Sequence, residues 1–228
     1  MGSPIPGSWV EQWLSQPRFT RFLVECGGDR AKALATYEWN LQLANSMLRD
    51  IAHFEVGLRN AYDTAISQHW SGLQHWLLDS TSPVKTPLWR RSHGQRVDIN
   101  RRNRHEITEA IARAGGAGAT PGGVVAELSF GFWRHLADTG HERTVWIPYL
   151  HHAWGPGASR ARIDAATRLI NATRNRAAHF EPLFASTPGR GVMDIDRQIV
   201  TLSGLLIPNL GVYIQQTSTV AAIFAKRP

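Results

Sequence analysis

From Asp29 to Trp70 the chain runs without a proline, and Gly57 is the only glycine in that stretch. One apolar stripe threads it: Leu41, Ala44, Leu48, Ile51, Leu58, Tyr62 and Ala65. The spacing alternates between three and four, the repeat of a helix packed along other helices. The position that would complete the stripe between Ile51 and Leu58 is Glu55. A helix of this length commits most of its neighbours to being helices too, and no segment shows a convincing strand alternation.

Two short amphipathic stretches, Trp9 to Ser15 and Arg18 to Glu25, precede the long helix. After it, Ser71 to Arg96 reads as an irregular connection with Pro83, Pro87 and Gly94, and Val97 to Arg113 as a basic helix. Thr120-Pro121 is an N-cap followed by proline at the first helical position; the helix it opens carries Val124, Leu128, Phe132 and Leu136. A shorter helix spans Arg143 to Trp154 with Pro148 inside it, which predicts a kink or a late start. Ser159 caps a helix running to Glu181, before Pro182 stops it. A loop through Thr187-Pro188-Gly189-Arg190-Gly191 leads to two last helices, Asp194 to Leu206 and Asn209 to Phe224. The expected fold is all-α, one domain over 1–228, with about seven to nine helices.

The net charge is +7 and the sequence pI about 10.3. Such an excess favours polyanions, either nucleic acid or an anionic membrane surface. Arginine supplies nearly all of it, since lysine occurs only at Lys32, Lys85 and Lys226, and the guanidinium fork holds phosphate at two points. Codon preference in a GC-rich genome also raises the Arg:Lys ratio, but does not explain the surplus over carboxylates. A single cysteine, Cys26, permits neither an intrachain disulfide nor a thiolate zinc cluster. No signal-peptide pattern and no run of ~20 apolar residues is present. These features predict a soluble cytoplasmic protein with no membrane partner.

On the helix that follows Ser159, Ile163, Ala166, Ile170, Thr173 and Ala177 form the core face. Asp164, Arg168, Asn171, Asn175 and His179 gather on the other side within an arc of about 80°. Asn and Asp weaken a helix, so this stripe suggests side chains kept for contacts.

The hexamer Arg174-Asn175-Arg176-Ala177-Ala178-His179 resembles the signature of the HEPN ribonucleases: Arg, a polar residue, variable residues, then His. Phe180-Glu181-Pro182 is similar to the Abi-like branch of that family. So are Tyr37-Glu38-Trp39-Asn40, Phe54-Glu55-Val56-Gly57-Leu58-Arg59-Asn60 and the segment from Val125 to Trp133. Together these cover roughly residues 18 to 185. Relatives often carry a second His after the motif His, where this chain has Phe180.

The resemblance implies a HEPN-like helical bundle with additional N- and C-terminal helices, a homodimer, and metal-independent RNA cleavage by 2′-OH attack without a cofactor. Catalysis would fall to Arg174, Asn175 and His179. An imidazole exchanges protons near neutral pH, and a guanidinium aimed at the non-bridging oxygens stabilises the transition state. An abortive-infection toxin controlled by an antitoxin or regulatory RNA is the implied setting. A non-catalytic RNA- or nucleotide-binding module, or a helical scaffold in a phage-defence complex, is the alternative.

Several roles stay open. On a regular helix Arg174 lies about 140° from His179; its side chain sweeps round, the helix is distorted, or Arg168 takes part of the phosphate work. His179 would also suit a helix C-terminus as a cap. Glu55 either pairs with Arg59 one turn on or orients Arg174 or His179. Arg168 and Asn171 are supporting candidates. Arg90, Arg91, Arg96, Arg101, Arg102 and Arg104, interspersed with Trp89, His93 and His105, form either a solvated face or an RNA-backbone patch; Arg101, Arg102 and Arg104 are its expected RNA contacts. The nine tryptophans read mainly as core. No metal site is expected: adjacent His151-His152 should point apart, and no His-Glu-x-x-His pattern occurs.

Overall fold

The computed structural model of the chain describes residues 6–92, 94–184 and 189–228. Met1 to Ile5, His93 and the Thr187-Pro188 step of the expected loop lie outside them.

The fold is all-α. Helices α1 (Trp9–Leu14) and α2 (Gln16–Glu25) lead into α3 (Arg30–His69), which the Asp29 carboxylate caps by accepting the Lys32 N–H. Forty residues at 1.5 Å each make α3 a rod of about 60 Å. Its buried strip runs through Leu43, Met47, Ile51, Phe54, Leu58 and Tyr62. The stripe read from the sequence overlaps this strip, but Leu41 and Leu48 sit at its half-buried edge. Each fully buried side chain of this size contributes roughly 1.5–3 kcal/mol.

Helices α4 (Asn100–Arg113), α5 (Pro121–Glu127), α6 (Phe130–His135), α7 (Arg160–Ala178), α8 (Val192–Leu206), α9 (Pro208–Thr217) and α10 (Val220–Phe224) complete the helical set. One core cluster draws on α3 and on every one of α4 to α10; a smaller one joins α1, α2 and the start of α3. No described helix is long and apolar enough to cross a membrane.

Four expectations need correction. The connection before α4 contains an antiparallel hairpin, β1 (Trp89–Ser92) with β2 (Gln95–Asp98), in which Arg91 pairs with Arg96. Gly94 at φ +78° serves its turn. β2 is exposed on both faces over most of its length, so no alternation advertised it.

The helix expected from Pro121 through Leu136 is two helices. Leu128 is extended, and the Ser129 hydroxyl restarts the helix by accepting the Phe132 N–H. Around Pro148 there is no α-helix: a π turn (Glu142–Trp146) gives way to a 3-10 turn (Leu150–Ala153), since proline offers no N–H to continue the ladder. The last helix is divided at Ser218, whose hydroxyl accepts the Val220 N–H. These divisions bring the described α-helices to ten.

Candidate active site at the end of α7

Helix α7 is regular to Ala178, and His179 is its C-cap. Phe180 then takes a left-handed conformation, φ +54°. The Phe180 N–H donates to the Ala177 carbonyl at 3.0 Å and the Glu181 N–H to the Arg176 carbonyl at 2.9 Å. This is a Schellman closure with Phe where glycine is usual. The helix is therefore not distorted before His179, and Arg174 and His179 keep their angular separation.

The chain beyond the cap is fastened to α3. Asn40, fully buried, donates its amide N–H to the Glu181 carbonyl at 3.2 Å, and its amide oxygen accepts the Leu183 N–H at 2.7 Å. The Arg176 guanidinium donates to the Pro182 carbonyl. Asn40 thus sets the end of the motif. Its signal in the sequence is an amide among the buried positions of an otherwise apolar helix face.

Arg174, Asn175 and His179 are exposed. Among the described residues none of their side chains has a hydrogen bond or an ion pair; the same holds for half-buried Asn171. Glu55 on α3 stands within electrostatic reach of both Arg174 and Arg59, and accepts the Phe130 N–H at the start of α6. Its partial burial raises the carboxyl above its ordinary range, and the two guanidiniums only partly oppose that. Neither guanidinium forms a salt bridge with Glu55 among the described residues. Arg59 donates to the Ala126 carbonyl at 3.4 Å.

Arg168 is committed elsewhere. Its Nε and Nη2 meet the Asp164 carboxylate at 2.8 and 3.1 Å, and that hydrogen-bonded pair raises its pKa. Asp164 also faces Arg134 and Arg160, each at 3.8 Å. Arg134 is the cation the sequence did not single out. Burial, then repulsion from Arg168, lowers its affinity for the proton, and Nη1 is buried without a hydrogen bond.

The basic run divides. Arg104 pairs with Asp98 and donates to the Lys85 carbonyl. Arg102 pairs with Glu106 at 2.6 Å on the surface, and Arg101 is exposed without an ion-pair partner among the described residues. Trp89 is 51% exposed, with the Arg96 guanidinium 5.1 Å from its ring centroid. Trp76, Trp133 and Trp146 are core, while Trp70 is half-buried.

His151 and His152 do not point apart. Their rings lie 3.7 Å from each other, and His69 stacks on His152 at 3.9 Å. The segment is 3-10, not α, so the 100° step assumed for them does not apply.

A different cluster has donor atoms spaced for a metal: those of His135, Asp138 and His141 lie within 4.8 Å of one another. Its contacts are those of hydrogen bonds, His135 Nδ1 to Asp138 Oδ2 at 2.9 Å and His141 Nδ1 to Asp138 Oδ1 at 2.7 Å. Asn100 donates its amide N–H groups to the Pro83 and Thr86 carbonyls, which turns its oxygen toward His141 Nε2 at 2.9 Å. His141 Nδ1 thus faces a carboxylate, while Nε2 faces both the Asn100 amide oxygen and the Asn103 amide nitrogen, the latter at 3.2 Å. Burial would raise the Asp138 carboxyl, but the two histidine hydrogen bonds outweigh it and hold the group well below the usual carboxylate range.

In comparisons with protein-family models, with curated proteins and with solved structures, nothing matches this chain.

Proposed function

We propose that the protein is a metal-independent endoribonuclease whose site forms where the α7 ends of two copies meet over RNA. One observation carries this reading. Asp164, Arg168 and Arg176 on α7 are spent on neighbours, whereas Arg174, Asn175 and His179 are exposed and make no side-chain hydrogen bond or ion pair among the described residues. Polar groups so placed suit a ligand from outside.

In the reaction, His179 of one copy takes the proton of a ribose 2′-OH as that oxygen attacks the adjacent phosphorus. His179 of the other copy gives a proton to the departing 5′-oxygen. Arg174 neutralises charge gathering on the non-bridging oxygens. Asn175, one turn before His179, holds a phosphate oxygen or the ring. The products are a 2′,3′-cyclic phosphate and a free 5′-OH. The resemblance to Abi-like HEPN proteins supports a toxin role in phage defence, under an antitoxin or regulatory RNA.

The test is incubation of the purified protein with total RNA in excess chelator. Cyclic-phosphate ends should accumulate with the wild type and not with His179→Ala. Cleavage at the wild-type rate in that variant would overturn the assignment. A second reading follows from the single imidazole that one chain supplies at this site: without a second copy, the same surface binds RNA and leaves it whole. Tight RNA binding with no cleavage by the wild type would select it.

A further inference from the structure

We propose that the cleft between the β1–β2 hairpin and the first turns of α4 is a phosphate-binding site, with His135 as its central donor and Arg101 and Arg102 as its cationic walls. It lies apart from His179. Arg134, next to His135, meets α7 at Asp164, fifteen residues before His179, or roughly 22 Å along the helix.

The cleft has a volume of about 670 Å³ and is lined by Val97, Asp98, Ile99, Arg101, Arg102, His105 and His135. That is nucleotide-sized space. The Asp98 charge is already spent: Oδ1 accepts the Leu88 and Asn100 N–H groups at 2.8 and 3.1 Å, and Oδ2 meets Arg104. Among the described residues, Glu106 is the one carboxylate paired with Arg102, in an exposed one-turn pair of the kind that contributes little and yields to a stronger anion. Behind the cleft, Arg134 and Arg168 repel each other. Arg101 has no ion-pair partner among the described residues, and Arg102 also repels Arg134.

His135 is fixed from behind. Asp138 Oδ2 receives its Nδ1–H at 2.9 Å. The other carboxylate oxygen is held by His141, which is in turn held by Asn100. With both oxygens engaged, Asp138 cannot turn away. The His135 edge bearing Nε2 is the one left for a ligand, and the side chain lines the cleft while only 17% exposed. In its protonated form the His135 ring adds an Nε2–H donor to two guanidinium forks, an arrangement on three sides that a phosphate accepts and a lone carboxylate cannot fill. The nearby guanidiniums oppose a dication at the same histidines. The phosphate belongs either to an RNA backbone or to a free nucleotide; the chemistry is shared.

The test uses the full chain carrying His179→Ala, so that RNA stays intact, in calorimetric titrations with inorganic phosphate, adenosine monophosphate and a ten-residue oligouridylate. Binding should weaken about 10-fold in His135→Ala and in Arg102→Ala, as for one lost charged hydrogen bond. Arg101→Ala, at a fully exposed position, should lower the salt dependence of oligomer binding by about one ion. Saturation by the monophosphate at the affinity of the oligomer identifies a free nucleotide as the ligand. Binding of the oligomer alone identifies the RNA backbone. The proposal is overturned if all three probes bind the His135, Arg102 and Arg101 variants as they bind the parent. The outcome does not depend on cleavage: failure of the wild type to cut RNA would remove the nuclease reading and leave this one standing.

Discussion

Arg168 lies flat on the carboxylate of Asp164, one turn earlier on α7, through contacts of 2.8 and 3.1 Å. That pairing engages Arg168 within its own helix, whereas Arg174 makes no hydrogen bond or ion pair among the described residues. Arg174→Ala should lower RNA cleavage by about 100-fold or more, as for loss of a donor to a developing oxyanion. Arg168→Ala should cost no more than about tenfold, since its charge acts through Asp164 and Arg134. Initial rates on one RNA substrate distinguish the two.

Glu55 makes stability depend on pH in a stated direction. Its folded-state carboxyl lies above its ordinary value of 4.5 because burial outweighs Arg174 and Arg59. The folded protein therefore prefers the protonated form. The advantage is complete below the unfolded value and disappears as pH rises through the folded one. Glu55→Gln should stabilise the fold at pH 7 by less than about 1 kcal/mol for a half-exposed group, read as a higher melting temperature, and give no gain at pH 4. Cleavage by the same variant should fall about tenfold, the loss of Arg174 orientation outweighing the gain in stability.

Asp138 has the opposite sign. Its carboxyl is depressed by His135 and His141, so the stability it brings is complete above the ordinary carboxylate value of 3.8 and drains away as pH falls below that. Asp138→Asn leaves one histidine N–H facing an amide N–H and should cost about 1–3 kcal/mol. Urea titrations should show a constant gap from wild type between pH 7 and 5, narrowing below pH 4.

Two glycines in the C-terminal packing should respond differently to alanine. A Cβ at Gly211 would stand 2.7 Å from Gly204 Cα and 3.0 Å from the Val200 carbonyl oxygen, all backbone. Gly211→Ala should therefore destabilise by about 1–3 kcal/mol. At Gly57 the obstruction is the end of the Leu210 side chain, at 2.6 Å, which turns aside. The helix propensity regained, about 1 kcal/mol, should bring Gly57→Ala within about 1 kcal/mol of wild type. Thermal melts of both variants check the contrast.

What the sequence made legible was local. Asp29 and Thr120 announce their helices because a cap acts within four residues, and the proline-free run of α3 needs no partner to be read. The hairpin was hidden because its exposed strands bury no alternate face. The His135, Asp138 and His141 set was hidden for a different reason. In a continuous helix, steps of three residues spread a trio over an arc of about 120° and about 9 Å of rise, and these converge because α6 stops at His135 and Asp138 turns extended. Arg134 was missed because its character comes from neighbours far along the chain, Asp164 and Arg168. The exposure of Asn175 and His179 follows from a polar stripe that the helical repeat could show; the exposure of Arg174, off that stripe, and the commitment of Arg168 to Asp164 do not.

Asn40 has a consequence for how the motif is held. Its amide offers Glu181 and Leu183 the same donor and acceptor that a neighbouring strand's peptide would, yet it is carried on a rod that reaches the far side of the molecule. The tail of the motif is thereby indexed to α3 and not to the loop that follows it. The residues just beyond His179 are therefore seated on the longest of the described helices.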